Sequence, residues 1–99
     1  MFCCSWPSFI GLGDWGAART REVDQENEIA VAKQLQATAA SINAQFIVNV
    51  GDNFYYYGVE STTDLRWNNT FESVFTLPSS MVKWYSVLGN HDYGKRSLY

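Results

Sequence analysis

Residues 46–58 read Phe46-Ile47-Val48-Asn49-Val50-Gly51-Asp52-Asn53-Phe54-Tyr55-Tyr56-Tyr57-Gly58. A nearly continuous apolar run ends in glycine, and a carboxylate follows at once. Such a run suits a parallel strand covered on both faces. The glycine lets the backbone turn sharply where the strand stops. The same arrangement occurs twice more. Upstream, Ser8-Phe9-Ile10-Gly11-Leu12-Gly13 runs into Asp14-Trp15-Gly16. Downstream, Trp84-Tyr85-Ser86-Val87-Leu88 runs into Gly89-Asn90-His91-Asp92. Asp14, Asp52 and Asn90 recur at one interval (52 − 14 = 90 − 52 = 38). That interval holds a strand-helix-strand crossover, which needs about 30 residues.

The intervening segments read as helices. From Val23 to Ile42, Val31, Leu35, Ala39 and Ile42 fall on one helical face. Several alanines add propensity, and Glu22, Asp24 and Glu26 sit where carboxylates favour the helix dipole. Asp64 is placed to cap a second helix that packs through Leu65, Trp67, Phe71, Val74 and Phe75. Leu77-Pro78-Ser79-Ser80 is a break. The predicted order is β-α-β-α-β, an α/β class. Right-handed crossovers make the three strands parallel and bring their carboxyl ends to one edge. Ligands of open α/β sheets bind at that edge. Trp15, Phe54, Trp67 and Trp84 read as core.

The 99 residues allow one small domain, with 46% apolar and 17% charged residues, so the chain is globular. A net charge of −3 argues against nucleic-acid or anionic-membrane partners. No apolar run approaches the ~20 residues of a membrane span. Cys3 and Cys4 are adjacent, which leaves neither a disulfide framework nor a zinc site. Residues 1–7 read as a leader of unknown role before a domain over 8–99. They lack the basic stretch of an export signal, so the compartment stays open. Lys95 and Arg96 read as a solvated tail, and the glycosylation triplet Asn68-Asn69-Thr70 matters only in a secreted chain.

Two carboxylates, an amide oxygen, a phenol and an imidazole are thus expected around one centre. Hard oxygen donors of this kind suit Mg, Mn, Zn or Fe better than copper. Adjacent carboxylates repel, and a pair of cations removes that penalty. Two metals roughly 3.5–4 Å apart clamp the attacking and leaving oxygens of a phosphoryl displacement.

Gly13-Asp14-Trp15-Gly16, Gly51-Asp52-Asn53-Phe54-Tyr55 and Gly89-Asn90-His91-Asp92 resemble, in order, the three amino-terminal motifs of the calcineurin-like metallophosphoesterases. Within that superfamily the chain is similar to the tartrate-resistant (purple) acid phosphatases. Asp14 is followed by Trp15-Gly16 rather than by the histidine that the protein Ser/Thr phosphatases carry two positions on. Tyr55 stands where the purple enzymes supply a phenolate. The resemblance covers roughly residues 8–93. It implies the β-α-β-α-β half of a four-layer sandwich and a dinuclear centre, Fe with a second Fe, Zn or Mn. In it Asp14 and Tyr55 ligate the iron, Asp52 bridges both ions and Asn90 holds the second. His91 is the catalytic group that contacts the substrate phosphate and protonates the leaving alkoxide. Asp92 orients His91. The implied reaction is hydrolysis of a phosphomonoester at acid pH, in a family that is typically secreted or lysosomal.

The family's two later motifs supply three further histidine ligands, and this sequence holds only His91. The chain is therefore expected to be an amino-terminal fragment, inactive alone and needing a carboxy-terminal half. A non-catalytic fragment that folds with a partner half is one alternative. The other is a dinucleotide-binding module, because Gly11-Leu12-Gly13-Asp14-Trp15-Gly16 matches G-x-G-x-x-G. That reading places an anionic Asp14 and a bulky Trp15 where pyrophosphate must approach the backbone.

Overall fold

In the computed structural model, which describes residues 6–18, 20–77 and 83–98, three short strands pair in parallel. They are β1 (Phe9–Leu12), β2 (Phe46–Asn49) and β3 (Lys83–Ser86), in spatial order β1-β2-β3. The register sets Ile10 beside Ile47 and Ile47 beside Trp84. Side chains alternate along a strand, so these three share one face. Each strand is shorter than the apolar run that announced it, but the α/β class and the parallel sheet are as expected. Cys3, Cys4, the Pro78–Ser80 break and the side chains of Lys95 and Arg96 lie outside the described residues.

Helix α1 (Glu22–Ser41) joins β1 to β2 and buries Glu28, Ala32, Leu35 and Ala39. Leu35 and Ala39 are on the expected face, whereas Val31 and Ile42 are exposed. Apolar side chains surround most of this helix, so periodicity alone does not single out the contact stripe. Packing selects the stripe that carries Ala32, which is buried in the core cluster with Leu35 and Ile47.

The second crossover is not a regular α-helix. Among its described residues Trp67–Glu72 is helical, and the turn is of the wide π type. Ser73 causes this locally: its N–H reaches back five residues to the Asn68 carbonyl at 3.0 Å, and its hydroxyl donates to the same oxygen at 2.7 Å. Asp64 does organise the entry, accepting the N–H groups of Arg66 and Glu60, each at 2.9 Å. Leu65 is exposed and Trp67 partly so, against expectation.

The core centres on Trp15 and Ile47, with Leu35, Phe54 and Phe75 buried beside them. The Trp15 ring meets Phe54, Phe71 and Phe75 at centroid distances of 5.2, 5.1 and 5.1 Å. Ile47 is fully buried, which contributes roughly 1.5–3 kcal/mol. The opposite sheet face is open. There Phe9 stacks on Phe46 and Phe46 meets Tyr85 edge-on, while Phe9, Val50, Tyr85 and Val87 are exposed. Among the described residues, no helix is long and apolar enough to cross a membrane.

Candidate metal centre

The turns after β1 and β2 have the same backbone shape. Asp14 and Asp52 both adopt left-handed conformations, with φ of 54° and 53°. Aspartate tolerates this region better than most side chains. The Asp14 N–H donates to the Gly51 carbonyl at 3.1 Å, locking one turn against the other. Gly51 has φ of 100°, and a side chain there would strike the Gly89 backbone. Gly89 is needed for space: a Cβ on it would collide with the Asp52 carboxylate. Asp52 therefore occupies the room that glycine leaves at the end of the third motif. Its Oδ1 accepts the His91 N–H at 2.9 Å.

Tyr55 joins the two carboxylates. Its hydroxyl donates to Asp14 Oδ1. Burial pushes the phenol well above its ordinary pKa, and the hydrogen bond and charge of Asp14 add to this, followed by the charge and hydrogen bond of Asp52. The Tyr55 ring lies 4.5 Å from the His91 ring, centroid to centroid. His91 Nδ1 is 2.9 Å from the Tyr56 carbonyl oxygen. A carbonyl only accepts, so Nδ1 carries the hydrogen and Nε2 is left for other partners. Asn90 is exposed at the start of 3₁₀ turns spanning Asn90–Leu98, directly after Gly89. A cleft of about 330 Å³ opens beside Asp14 and Tyr55, bounded by Arg21, Asp24 and Tyr56.

Asp92 gathers donors from the second and third motifs. Its carboxylate accepts the N–H groups of Asn53 at 2.8 Å, Phe54 at 3.1 Å and Gly89 at 2.9 Å, and the Asn53 amide at 2.9 Å. It staples the second and third motifs together, while the His91 ring is held by the Tyr56 carbonyl. The reason is proximity: Asp92 sits where three backbone donors converge, and an anion satisfies them together.

Beneath the carboxylates lies a polar network that the motifs did not announce. The Trp15 Nε1–H is shared by the side-chain oxygens of Asn49 and Asn53. The Asn49 amide donates to Asn53 Oδ1 and to Ser86 Oγ, and the Asn53 amide donates to the Val87 carbonyl. All three strand ends are thus wired together in the interior. Asn49, a lone amide in an apolar strand, is the signal that could have found it.

The structure brings Asp14, Asp52, Tyr55 and His91 together and sets Asn90 one residue beyond the glycine that abuts Asp52. Among the described residues, no three His, Cys, Asp or Glu side chains cluster as a metal site on their own. The donor set here is instead two carboxylates and a phenol. Two carboxylates bearing on one phenol hydroxyl concentrate negative charge that a cation relieves, so these residues fit a hard metal ion.

Comparison with known proteins agrees. Residues 7–99 match the family model described as calcineurin-like phosphoesterase. The chain is 42% identical over 86 residues to tartrate-resistant acid phosphatase type 5 of Oryctolagus cuniculus, covering 86% of this chain and 26% of that protein. It is 41% identical over 86 residues to the Homo sapiens protein of that name, covering 86% of this chain and 26% of the other. It is 42% identical over 86 residues to purple acid phosphatase 17 of Arabidopsis thaliana, covering 87% and 24%. Among solved structures it resembles GAP50, the anchor in the inner membrane complex of Plasmodium. That match has a TM-score of 0.71 and 31% identity, and covers 89% of this chain and 27% of the other. The chain thus spans about a quarter of the length of the relatives it matches. With three ordered motifs meeting at one sheet edge and a family match over nearly its whole length, this chain belongs to the calcineurin-like phosphoesterases.

Proposed function

We propose that the protein hydrolyses phosphomonoesters at a dinuclear metal centre of the acid phosphatase type, to which this chain contributes Asp14, Asp52, Tyr55 and Asn90. The convergence of the Tyr55 hydroxyl on Asp14, with Asp52 bearing on the same phenol, supports this reading most directly. Asp14 and Tyr55 would hold the iron. Asp52, held against Gly89, would bridge to the second ion, an Fe, Zn or Mn beside Asn90. Bound there, the ions would supply Lewis acidity toward a phosphoryl group.

His91 supplies acid catalysis. Its Nδ1–H is committed to the Tyr56 carbonyl, which orients the ring. Nε2 then binds a phosphate oxygen. In the imidazolium form it gives its proton to the departing alkoxide, which leaves as the neutral alcohol. Asp52 and Asn90 alone are too few donors to hold the second ion tightly, so turnover by this chain by itself should be negligible.

The test is ferric loading. A tyrosinate–iron pair absorbs in the visible, so the chain should acquire a visible band that is lost in Tyr55→Phe. A colourless wild-type chain at saturating iron rejects the reading. Robust turnover of a generic phosphomonoester near acid pH by this chain alone would reject the inactivity.

A further inference from the structure

Two buried ionisable side chains outside the three motifs grip the loops that carry the site. Arg66, on the segment that leads into the π-turn, is 8% exposed. Its Nη1 donates to the Gly58 carbonyl at 2.9 Å, and its Nη2 donates to the carbonyls of Tyr55 at 2.7 Å and Ala17 at 3.2 Å. Glu28, on α1, is 6% exposed, and its Oε1 accepts the Ala17 N–H at 3.2 Å. The Ala17 residue is therefore held on both sides, by a carboxyl oxygen at its N–H and a guanidinium at its carbonyl.

We propose that Arg66, opposed by Glu28, is a positioning residue for the metal centre. This rests on the functional reading above. Ala17 belongs to the turn that begins with Asp14, whereas Tyr55 and Gly58 belong to the turn that begins with Asp52. One planar guanidinium thus spans both turns and sets their separation. Its bond to the Tyr55 carbonyl is matched by the Tyr55 N–H, which donates to the Gly16 carbonyl across the same gap at 3.3 Å. These two bonds fix the main chain from which the phenol projects to Asp14. The guanidinium is itself located by the Phe54 ring, 5.3 Å below it, and by the Arg66 N–H bonded to Asp64. Arginine suits the task because its fork of fixed donors serves several acceptors at once, which a lysine ammonium cannot do with the same geometry. Neither Arg66 nor Glu28 is assigned contact with substrate or metal.

The experiment compares the chain with Arg66→Met and Arg66→Lys. The Trp15 indole N–H resonance reports the intact core. Nuclear Overhauser contacts between the Tyr55 and His91 rings report the site without metal, and ferric titration reports the centre. Arg66→Met should keep the indole signal, lose the ring contacts and weaken ferric binding roughly tenfold or more. Arg66→Lys should recover only part of both. Wild-type ring contacts in a folded Arg66→Met overturn the proposal. If Arg66→Met does not fold, the same two readouts on Arg66→Lys decide it. Unfolding of both variants overturns it in favour of a purely architectural role. If the wild-type chain shows no ferric band, the metal reading fails alone, and the ring contacts still decide the positioning.

Discussion

The Trp15 indole N–H donates to Asn53 Oδ1 at 3.1 Å, joining the turn after β1 to the turn after β2 from inside the core. The same hydrogen is shared with Asn49 Oδ1 at 3.1 Å. A residue that reads as plain core packing is therefore also the donor that completes a buried amide network.

Trp15→Phe tests this. The aromatic contacts with Phe54, Phe71 and Phe75 can largely persist, but two buried amide oxygens lose a donor. Leaving buried acceptors short of a partner costs about 1–3 kcal/mol. Urea unfolding should show a loss of that order, and a variant as stable as the wild type would contradict the network's importance.

Asp92→Ala should be more damaging than its half-exposed position suggests. It removes an anion that accepts three backbone N–H groups and one amide. Hydrogen bonds to charged groups are worth about 1.5–3 kcal/mol each, with strong non-additivity when they share one carboxylate. A fall of about 3 kcal/mol in unfolding free energy is expected. Asp92→Asn, which keeps one acceptor, should recover part of it.

Glu28 imposes a pH dependence on stability. Burial raises its pKa to about 7 from the ordinary 4.5, with the Ala17 N–H and the Arg66 charge opposing the rise. Below the unfolded value the carboxyl is protonated in both states, and the native state keeps its full advantage. As pH climbs toward 7 the unfolded chain loses this proton first, so native stability falls. The loss is complete above about 7 and reaches up to about 3 kcal/mol. Glu28→Gln should abolish this slope. Denaturation of both proteins at acid and at neutral pH measures the difference.

Gly89→Ala should weaken both metal binding and the fold. The added methyl would collide with the Asp52 carboxylate. Displacing a ligating carboxylate through its surroundings typically costs 10- to 100-fold in metal affinity. Calorimetric titration with ferric ion should show a loss in that range, and the thermal midpoint should fall as well, because the same methyl would strike the Asp52 backbone nitrogen.

Much of this arrangement was legible from residue order alone. The alternation of apolar runs, glycines and carboxylates at a constant interval specifies parallel strands whose ends share an edge, because a crossover of that length has little choice of topology. The placement of Asp14, Asp52 and Asn90 at strand ends follows from the same spacing, whereas Tyr55 was singled out among three consecutive tyrosines by resemblance to the purple acid phosphatases. What residue order left open concerns partners rather than positions. Val31 and Ala32 are one residue apart on a helix that is apolar nearly all round, and only contact with the sheet decides which is buried. Asp92 and Arg66 are ordinary charged residues in the chain. Their work, stapling the second motif to the third and gripping two loop backbones, depends on carbonyl and amide groups that become neighbours only after folding. Side-chain chemistry is local and can be read along a sequence, whereas the choice of hydrogen-bond partner belongs to the packed molecule.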